Sequence, residues 1–559
     1  MDLWFSPKLL VRILLSIGFV FSVLSFSSCS SANVATSPSQ SAASATDQLN
    51  QAETRIDENT SPAATKAEAA SASSTESPAN QIQPNKSLKI AIQPIVQIDP
   101  AFISSDSEVL LANLVYDYLI DTDVDGKLTP RLAESWTSNQ DGTVYTLTIT
   151  KSAHFHDGSL LTVDDVVWTF ERLRDPALEL PTSSLYSNIE QITADAENST
   201  LTFTLKQPNP FFLYDLSANQ ALVLKKGTTN ADKEFNGTGP YRVKSYLPED
   251  RVILEANPHY FISGLPKMTN IELIFFTDET AMANALRSQQ IDMILRLGTE
   301  SYTSLENQAG IKTIVTPANG FDLVRLRSDR PPGNNPKVIQ ALKLATDRET
   351  IFQLVQQKYG AVGRDCPIGP MYKNYYTEDP PIPPRDVEKA RRLLKEAGYP
   401  DGLTLDMHVP DSGNRPNLAV VLKDQWAEAG ININVIIEPE SIYYGENKWL
   451  EADLGITGWS SRPYPQFYLD VMLKCNGSWN EAHFCDKEFD ELATIGGTTM
   501  DEAERVKAYR EIQRLCIERV PIIIPYFMAN FAATRDNIEG FELKGFSGRS
   551  DLRVVKFMP

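Results

Sequence analysis

The sequence predicts an α/β protein, because short segments with the two-residue period of strands alternate with segments of helical period along most of the chain. Residues 88–92 alternate as a first strand, and residues 403–407 alternate in the same way. Helical stripes lie before the second of these, at 386–397, and after it, at 418–426. A passage from helix to strand is also predicted at 280–294. With 559 residues, the chain is long enough for more than one domain.

The first residues have the pattern of an export signal. Arg12 precedes an apolar run at 13–24, and small residues then precede Cys29. We therefore expect residues 1–28 to be a signal peptide and Cys29 to be the lipidated first residue of the mature chain. The alternative is a plain cleaved signal with an incidental cysteine. Residues 29–86 are rich in Ser, Ala and Thr, which predicts a disordered tether.

A strand, a second strand and a helix are predicted next. Turn dipeptides at 141–142 and 157–158 flank an alternating run at 144–149, which is typical of a hairpin. Thr162 is a good helix N-cap, and Asp165 stands three positions later, where it can complete a capping box. An apolar stripe of helical period follows.

Six short motifs occur in order along the chain: Tyr116-Asp117-Tyr118-Leu119, Pro130-Arg131-Leu132-Ala133-Glu134-Ser135-Trp136, Gly237-Thr238-Gly239-Pro240-Tyr241, Asn257-Pro258-His259-Tyr260, Ala345-Thr346-Asp347-Arg348-Glu349 and Gly458-Trp459. In this order and spacing they resemble the family 5 solute-binding proteins of ABC transporters, the oligopeptide- and dipeptide-binding group. The resemblance covers nearly everything after about residue 87. It implies a two-lobed periplasmic-binding-protein fold of the peptide-binding class, with a hinge and an additional third domain.

The resemblance also implies a domain division. Lobe I is expected at 87–118, 239–318 and 520–559, the extra domain at 119–238, and lobe II at 319–519. Two strands are expected to cross between the lobes, at 321–326 and at 522–527. Closure about a hinge would bury the ligand between the lobes.

The function that the resemblance implies is capture of a peptide or peptide-like solute and its delivery to the permease and ATPase subunits of an ABC transporter. The protein is expected to be an exported monomer, held on a membrane through Cys29. Alternatives on the same fold are a ligand sensor and a nickel- or haem-binding protein. A net charge of −20 argues against nucleic acid as a partner.

No enzyme is predicted, because the sequence has no Gly-x-Ser-x-Gly elbow, no phosphate-binding loop and no His-Glu-x-x-His helix. No pair of its five histidines has the spacing of a zinc helix motif. We therefore expect no cofactor and no metal site.

The ligand site is expected around the Gly-Trp motif. Peptide binders of this group hold the ligand's α-ammonium with an Asp three residues after that Trp, whereas here Trp459 is followed by Ser460, Ser461 and Arg462. A guanidinium repels an ammonium and favours a carboxylate or phosphate in bidentate geometry. The sequence therefore predicts a carboxylate-presenting ligand, such as a modified peptide, that stacks on Trp459 and pairs with Arg462. The alternative is a salt bridge from Arg462 to the neighbouring lobe.

Further candidates come from the predicted lobe junction and from loops that could face the cleft. The predicted ligand-binding residues are Trp459, Ser461, Arg462, Tyr464, Tyr116, Asn414 and Arg415. In the resemblance, Asp99 also lies near the lobe junction.

The sequence also allows predictions for the cysteines other than Cys29. Cys475 and Cys485 bracket a short loop, which in an exported protein suits a disulfide, and two separate thiols are the alternative. Cys516 lies on a helical stripe and is predicted to be a buried apolar residue. Cys366 has no assignment from the sequence.

Overall fold

The described residues of this computed structural model are 87–180, 183–445, 448–546 and 548–558. The predicted signal peptide, the lipidated Cys29 and the tether up to residue 86 lie outside them. Within these ranges, no helix has both the length and the apolar character needed to cross a membrane.

The strands have the following bounds: β1 (Ser87–Ile92), β2 (Ile120–Thr122), β3 (Leu128–Pro130), β4 (Ala133–Ser138), β5 (Val144–Ile149), β6 (Ile189–Asp195), β7 (Thr200–Leu205), β8 (Tyr241–Leu247), β9 (Arg251–Ala256), β10 (Asn270–Phe275), β11 (Met293–Ile294), β12 (Ile311–Leu326), β13 (Ala361–Val362), β14 (Leu403–Pro410), β15 (Ile431–Glu438), β16 (Leu454–Trp459), β17 (Ile522–Ile523), β18 (Tyr526–Arg535), β19 (Ile538–Glu539) and β20 (Lys556–Phe557).

The helices have the following bounds: α1 (Asp106–Val115), α2 (Val163–Leu173), α3 (Ser183–Tyr186), α4 (Phe212–Asp215), α5 (Glu279–Arg287), α6 (Thr299–Leu305), α7 (Pro336–Ala345), α8 (Arg348–Val355), α9 (Val387–Glu396), α10 (Arg415–Ala427), α11 (Glu440–Tyr443), α12 (Lys448–Glu451), α13 (Gln466–Tyr468), α14 (Lys487–Thr498) and α15 (Glu502–Glu518). The predicted α/β class is confirmed.

Local sequence patterns account for the hairpin and the helix that follows it. Strand β5 alternates buried and half-buried side chains, as its two-residue period requires. At the start of α2, the backbone N–H and the hydroxyl of Thr162 each donate to Asp165 Oδ2 at 2.7 Å. Thr162 is the N-cap as predicted, and the N–H groups of Gly142 and Gly158 donate to the carbonyls of Asn139 and Phe155, which confirms the predicted turns.

A large mixed sheet runs through the chain in the order β15-β14-β16-β12-β18-β11-β1-β10-β9-β8. Its long strand β12 pairs with β18 along residues 311–317 and, after an irregularity, with β16 along residues 321–326. The single strand β12 thus connects the β15-β14-β16 half of the sheet to the half that begins with β18. The second predicted crossing strand, 522–527, is divided into β17 and β18 at Pro525, whose missing N–H cannot donate to a sheet partner.

Separate hydrophobic cores lie at the two ends of this sheet. One combines β1, β9 and β10 with the four-stranded sheet β4-β5-β7-β6, so that Leu254 and Phe203 share a single core. Another fills the space between β14, β15 and β16 and helices α7 to α10, with Trp426 fully buried in it. A third core lies on the opposite face of β12 and β16 and contains Phe321 and Trp459.

Candidate functional site

Trp459 is the last residue of β16 and lies opposite Phe321 of β12. The two rings are nearly parallel, with centroids 6.4 Å apart, and Trp479 meets Trp459 edge-on at 5.9 Å. The Trp459 ring is only 8% exposed. Trp459 therefore forms part of an aromatic wall and keeps a small exposed fraction.

Glu481 lies behind this wall and is fully buried. Its carboxylate accepts hydrogen bonds from Trp459 Nε1 at 3.2 Å, from Thr457 Oγ1 at 2.6 Å and from Arg325 Nε at 3.0 Å. Burial raises the pKa of Glu481, and the Arg325 charge opposes that rise. The network fixes the orientation of the indole ring.

Sequence reasoning missed Glu481, although it lies in the loop bracketed by the cysteine pair. In the structure a disulfide joins Cys475 to Cys485 and closes that loop. The bracketing cysteines were the only sequence signal near Glu481, and they do not indicate which loop residue turns inward.

Ser461 connects the wall to the irregular part of β12. Its hydroxyl oxygen accepts the backbone N–H of Asn319 at 2.9 Å. Asn319 is buried, and its side-chain Oδ1 has no hydrogen-bond partner among the described residues. A buried acceptor without a partner is costly, so this oxygen is a candidate contact for a ligand donor or a water molecule.

Arg462 is half-buried beside the same wall. Its guanidinium carbon lies 4.6 Å from the centre of the Phe467 ring, and its carbonyl oxygen accepts the Tyr372 hydroxyl at 2.8 Å. Within the described ranges, no carboxylate lies at ion-pair distance from Arg462. The Phe467 ring face is a favourable neighbour for this charge, because a guanidinium is attracted to the face of an aromatic ring.

Tyr464 reaches a different part of the chain. Its ring stacks on Phe211 with centroids 4.7 Å apart, and its hydroxyl donates to Asp215 Oδ1. Asn209 Nδ2 donates to the other oxygen of Asp215 at 2.8 Å. Burial raises the pKa of Asp215 to about 7. The contact joins residues of the predicted extra domain to residues of the predicted lobe II.

Asn414 and Arg415 stand at the start of α10, not in an extended loop. Arg415 pairs with Asp322 at 3.4 Å and with Glu440 at 3.1 Å. It also packs over Gly458, where an added Cβ would lie 2.3 Å from Arg415 Nη1.

Strand alternation decides which face of the sheet this arginine occupies. Asp322 and Gly458 point away from the face that carries Phe321 and Trp459, because successive side chains alternate. Arg415 therefore lies across the sheet from Trp459. Asn414 donates from Nδ2 to the carbonyl of Val355 at 3.3 Å.

Tyr116 belongs to a different hydrophobic core from the aromatic wall, and Asp99 acts electrostatically on Tyr116. Tyr116 follows α1 and is packed in the core shared by β1 and the four-stranded sheet. Its hydroxyl donates to the carbonyl of Glu234 at 3.4 Å. Asp99 forms an ion pair with Arg172. The structure therefore groups Trp459, Ser461, Arg462 and Tyr464, and places the other predicted residues elsewhere.

Four of the sequence motifs meet at the fully buried carboxylate of Asp117. Asp117 accepts from Arg131 Nε at 3.1 Å, from Thr238 Oγ1 at 3.2 Å and from the Tyr260 hydroxyl at 3.1 Å. Each of these residues comes from a different motif. The motifs that carry the family resemblance thus build an internal network.

Comparisons with known proteins agree with this fold. The model of the bacterial extracellular solute-binding proteins, family 5 Middle, matches residues 127–480. The peptide transport periplasmic protein SapA of Salmonella typhimurium is 26% identical over 478 residues, covering 79% of this chain and 86% of SapA. The probable di/tripeptide-binding protein 5 of Pseudomonas aeruginosa is 29% identical over 489 residues, covering 79% and 90%.

Solved structures have the same architecture. The periplasmic binding protein DppA of Helicobacter pylori, in complex with the peptide STSA, superposes with a TM-score of 0.72 at 22% identity, covering 85% of this chain and 98% of DppA. NikZ of Campylobacter jejuni, in complex with Ni(L-His), gives a TM-score of 0.71 at 22% identity, covering 84% and 97%. The predicted two-lobed fold is confirmed.

Proposed function

The chain belongs to the bacterial extracellular solute-binding proteins of family 5, and from that premise we propose that it captures a peptide or peptide-like solute and delivers it to an ABC permease with its ATPase subunits for import. Peptide transport and di/tripeptide binding are the functions named for the two relatives above, which supports this solute class. The family consists of substrate-binding transport proteins, in agreement with the prediction that the chain is not an enzyme.

The proposed capture occurs between two lobes, with the division predicted from the sequence: lobe I at 87–118, 239–318 and 520–559, the extra domain at 119–238, and lobe II at 319–519. Support comes from the separate cores at the two ends of the sheet and from the shared strand β12. The stacked rings of Tyr464 and Phe211 would then be a contact made on closure. Solute trapped beside them would be withdrawn from water until the lobes open.

We further propose that the solute presents a carboxylate to Arg462. The buried arginines near the sheet have carboxylate partners within the chain, as in the pairs Arg325–Glu481 at 3.0 Å and Arg348–Asp365 at 2.6 Å. Arg462 is half-buried and has none among the described residues. This contrast, at a residue that follows Ser461 and lies beside the aromatic wall, supports an anionic group on the ligand, because a guanidinium binds a carboxylate in bidentate geometry.

A donor on the same solute would meet the buried oxygen of Asn319. Ser461 links that residue to the chain segment of Arg462 through a hydrogen bond of 2.9 Å. A peptide carries both groups, since its backbone N–H donates and its carboxylate accepts. The pair of contacts would therefore fix the direction in which a short peptide lies.

For localisation, we propose an exported monomer held on a membrane through a lipid on Cys29, with 29–86 as the tether. The residues involved lie outside the described part of the chain. The family description, extracellular solute-binding, supports export.

A metal-complex carrier is a second candidate, because NikZ with Ni(L-His) has the same fold. Within the described ranges there is no group of three or more His, Cys, Asp or Glu side chains that could hold a metal ion. A metal would therefore be expected to arrive with its own organic ligands, and a carboxylate of such a ligand could also pair with Arg462.

Native mass spectrometry of the purified full-length protein tests the solute class. Retained masses that match short peptides would support peptide capture, and a retained nickel complex would favour the second candidate. A preparation without retained solute would then be titrated calorimetrically with dipeptides, tripeptides and Ni(L-His).

Arg462→Ala tests the anionic contact. Affinity for the identified solute should fall on the order of 10- to 100-fold, because a charge-assisted hydrogen-bond pair is lost. Arg514→Ala is the control, since Arg514 is also half-buried but pairs with Glu511 and Glu518 of its own helix, α15. Equal affinities of the two variants would contradict the role of Arg462 and leave peptide capture untouched.

A further inference from the structure

Cys366 and Cys516 bring their sulfur atoms close together inside the third core. The two Sγ atoms are 3.0 Å apart across a sequence separation of 150 residues. Cys366 follows β13, and Cys516 lies in the last turn of α15; their side chains are 1% and 0% exposed. A protein disulfide has an S–S bond of about 2.0 Å, so an approach of about 1 Å would join them.

One buried lysine, Lys343, contacts the chain segments of both cysteines. Lys343 Nζ donates to the carbonyl oxygen of Cys516 at 2.6 Å and pairs with Asp365, the residue before Cys366, at 3.2 Å. Arg348 pairs with the same Asp365 oxygen at 2.6 Å. The short distance between the sulfurs is therefore supported by a network that fixes both chain segments.

We propose that Cys366 and Cys516 form a disulfide in the exported protein, in addition to the bond between Cys475 and Cys485. Disulfides form in the oxidising compartments to which extracellular proteins are sent. The bond would link the segment after β13 to α15.

The chemistry is a thiol–disulfide exchange with an exported protein disulfide as oxidant. One cysteine thiolate attacks the oxidant's disulfide and forms a mixed disulfide, and the second thiolate displaces the oxidant's sulfur. The two cysteines lose two protons and two electrons, and the oxidant's disulfide becomes two thiols.

The burial of both cysteines sets the order of events. In the folded chain, burial raises the pKa of the Cys516 thiol and keeps it protonated, which makes it a poor nucleophile. The exchange is therefore expected before α15 packs, and the finished bond would be shielded from reductants.

The bond would act on the candidate solute site through the segment that follows Cys366. In that segment, Tyr372 donates its hydroxyl to the carbonyl of Arg462 at 2.8 Å, and the Tyr375 ring meets Phe211 with centroids 6.2 Å apart. At its far end, Gln513 of α15 accepts the Thr377 N–H at 3.0 Å. The disulfide would anchor the near end of this segment to the same helix.

Peptide mapping of the full-length exported protein tests the bond. The protein is denatured with an alkylating reagent and without reductant, digested, and its cysteine peptides are identified by mass spectrometry. We expect a linked pair of peptides that contain Cys366 and Cys516, with both becoming alkylated only after reduction. Alkylation of both cysteines before reduction would overturn the proposal.

Two variants establish the pairing, and both are analysed by the same peptide mapping after denaturation. In Cys366→Ala, alkylation of Cys516 without reductant should rise from near zero to completion. In the double variant Cys475→Ala/Cys485→Ala, the link between Cys366 and Cys516 should persist. A link from either residue to Cys475 or Cys485 in the unaltered protein would also overturn the proposal.

Discussion

The carboxylate network around Asp117 and the aromatic wall around Trp459 differ in how completely the chain satisfies their charges. At Asp117, donors from Arg131, Thr238 and Tyr260 surround a buried carboxylate. At the wall, Arg462 has no carboxylate partner within the described ranges, and Asn319 Oδ1 has no hydrogen-bond partner there. The four motifs that meet at Asp117 therefore supply a fully paired internal network, whereas the groups that we propose as solute contacts lie next to the position where Arg462 departs from the family pattern.

The contact between Tyr464 and Asp215 resembles the Asp117 network in that both partners belong to the chain, and it resembles the wall in its proposed link to solute capture. Both partners belong to the chain, but they are separated by 249 residues and come from segments that we propose to move relative to each other. Such a contact would contribute to the closed state and little to the stability of either lobe alone.

The largest expected effect follows from removing the centre of the satisfied network. Asp117→Ala leaves Arg131 buried without that carboxylate, so the free energy of unfolding should fall by about 3–5 kcal/mol. Urea denaturation followed by circular dichroism measures this loss. If Asp117 belonged to the solute site instead, the loss would appear in affinity and leave stability nearly unchanged.

An exposed ion pair supplies the control for this measurement. Asp164 pairs with Lys226, and both side chains are 58% exposed. Asp164→Ala should change the free energy of unfolding by less than about 1 kcal/mol, because water screens such a pair. Equal losses in the two variants would remove the distinction between a buried network and surface charge.

Much of the fold follows from patterns that act within a few residues. The capping box of Thr162 and Asp165, the turn at 141–142 and the alternation of β5 are local, so the sequence predicts them directly. The division of 522–527 at Pro525 also has a local cause, which the prediction of one continuous strand overlooked.

The candidate site depends on pairing between distant segments, and this limited what the sequence could predict. Arg415 lies across the sheet from Trp459 because α10 packs on the opposite face of the sheet, which no local pattern specifies. Asp215 becomes the partner of Tyr464 only in the folded chain. Arg462 could be singled out because the family resemblance supplies an expected residue at that position.

A pH dependence of intermediate size is expected from Asp215. Burial raises its pKa from 3.8 to about 7, Tyr464 and Asn209 oppose the rise by donating hydrogen bonds, and the charge of Asp470 adds to it. The folded protein therefore holds this proton more tightly than the unfolded chain. The stabilisation from the protonated carboxyl is complete below about pH 4 and is lost as the pH rises to about 7.

Asp215→Asn isolates this contribution from those of other titrating groups. Between pH 4 and pH 8, the wild-type protein should lose about 2–4 kcal/mol more unfolding free energy than the variant. Urea denaturation of both proteins at several pH values gives the difference. Parallel pH profiles would mean that Asp215 has an ordinary pKa and that the contact with Tyr464 is open to water.

The smallest expected effect comes from the hydroxyl of Tyr464. Tyr464→Phe keeps the stack on Phe211 and removes one hydrogen bond to Asp215, so solute affinity should fall by about 1 kcal/mol, or roughly fivefold. Calorimetric titration measures the affinity, and combination with Asp215→Asn gives a double-mutant cycle with a coupling energy of at least about 0.5 kcal/mol. A contact made on closure should alter affinity more than it alters the free energy of unfolding. The reverse result would assign Tyr464 and Asp215 to the same class as Asp117, a satisfied pair that stabilises the fold, and would leave Arg462 and Asn319 as the groups that distinguish the solute site.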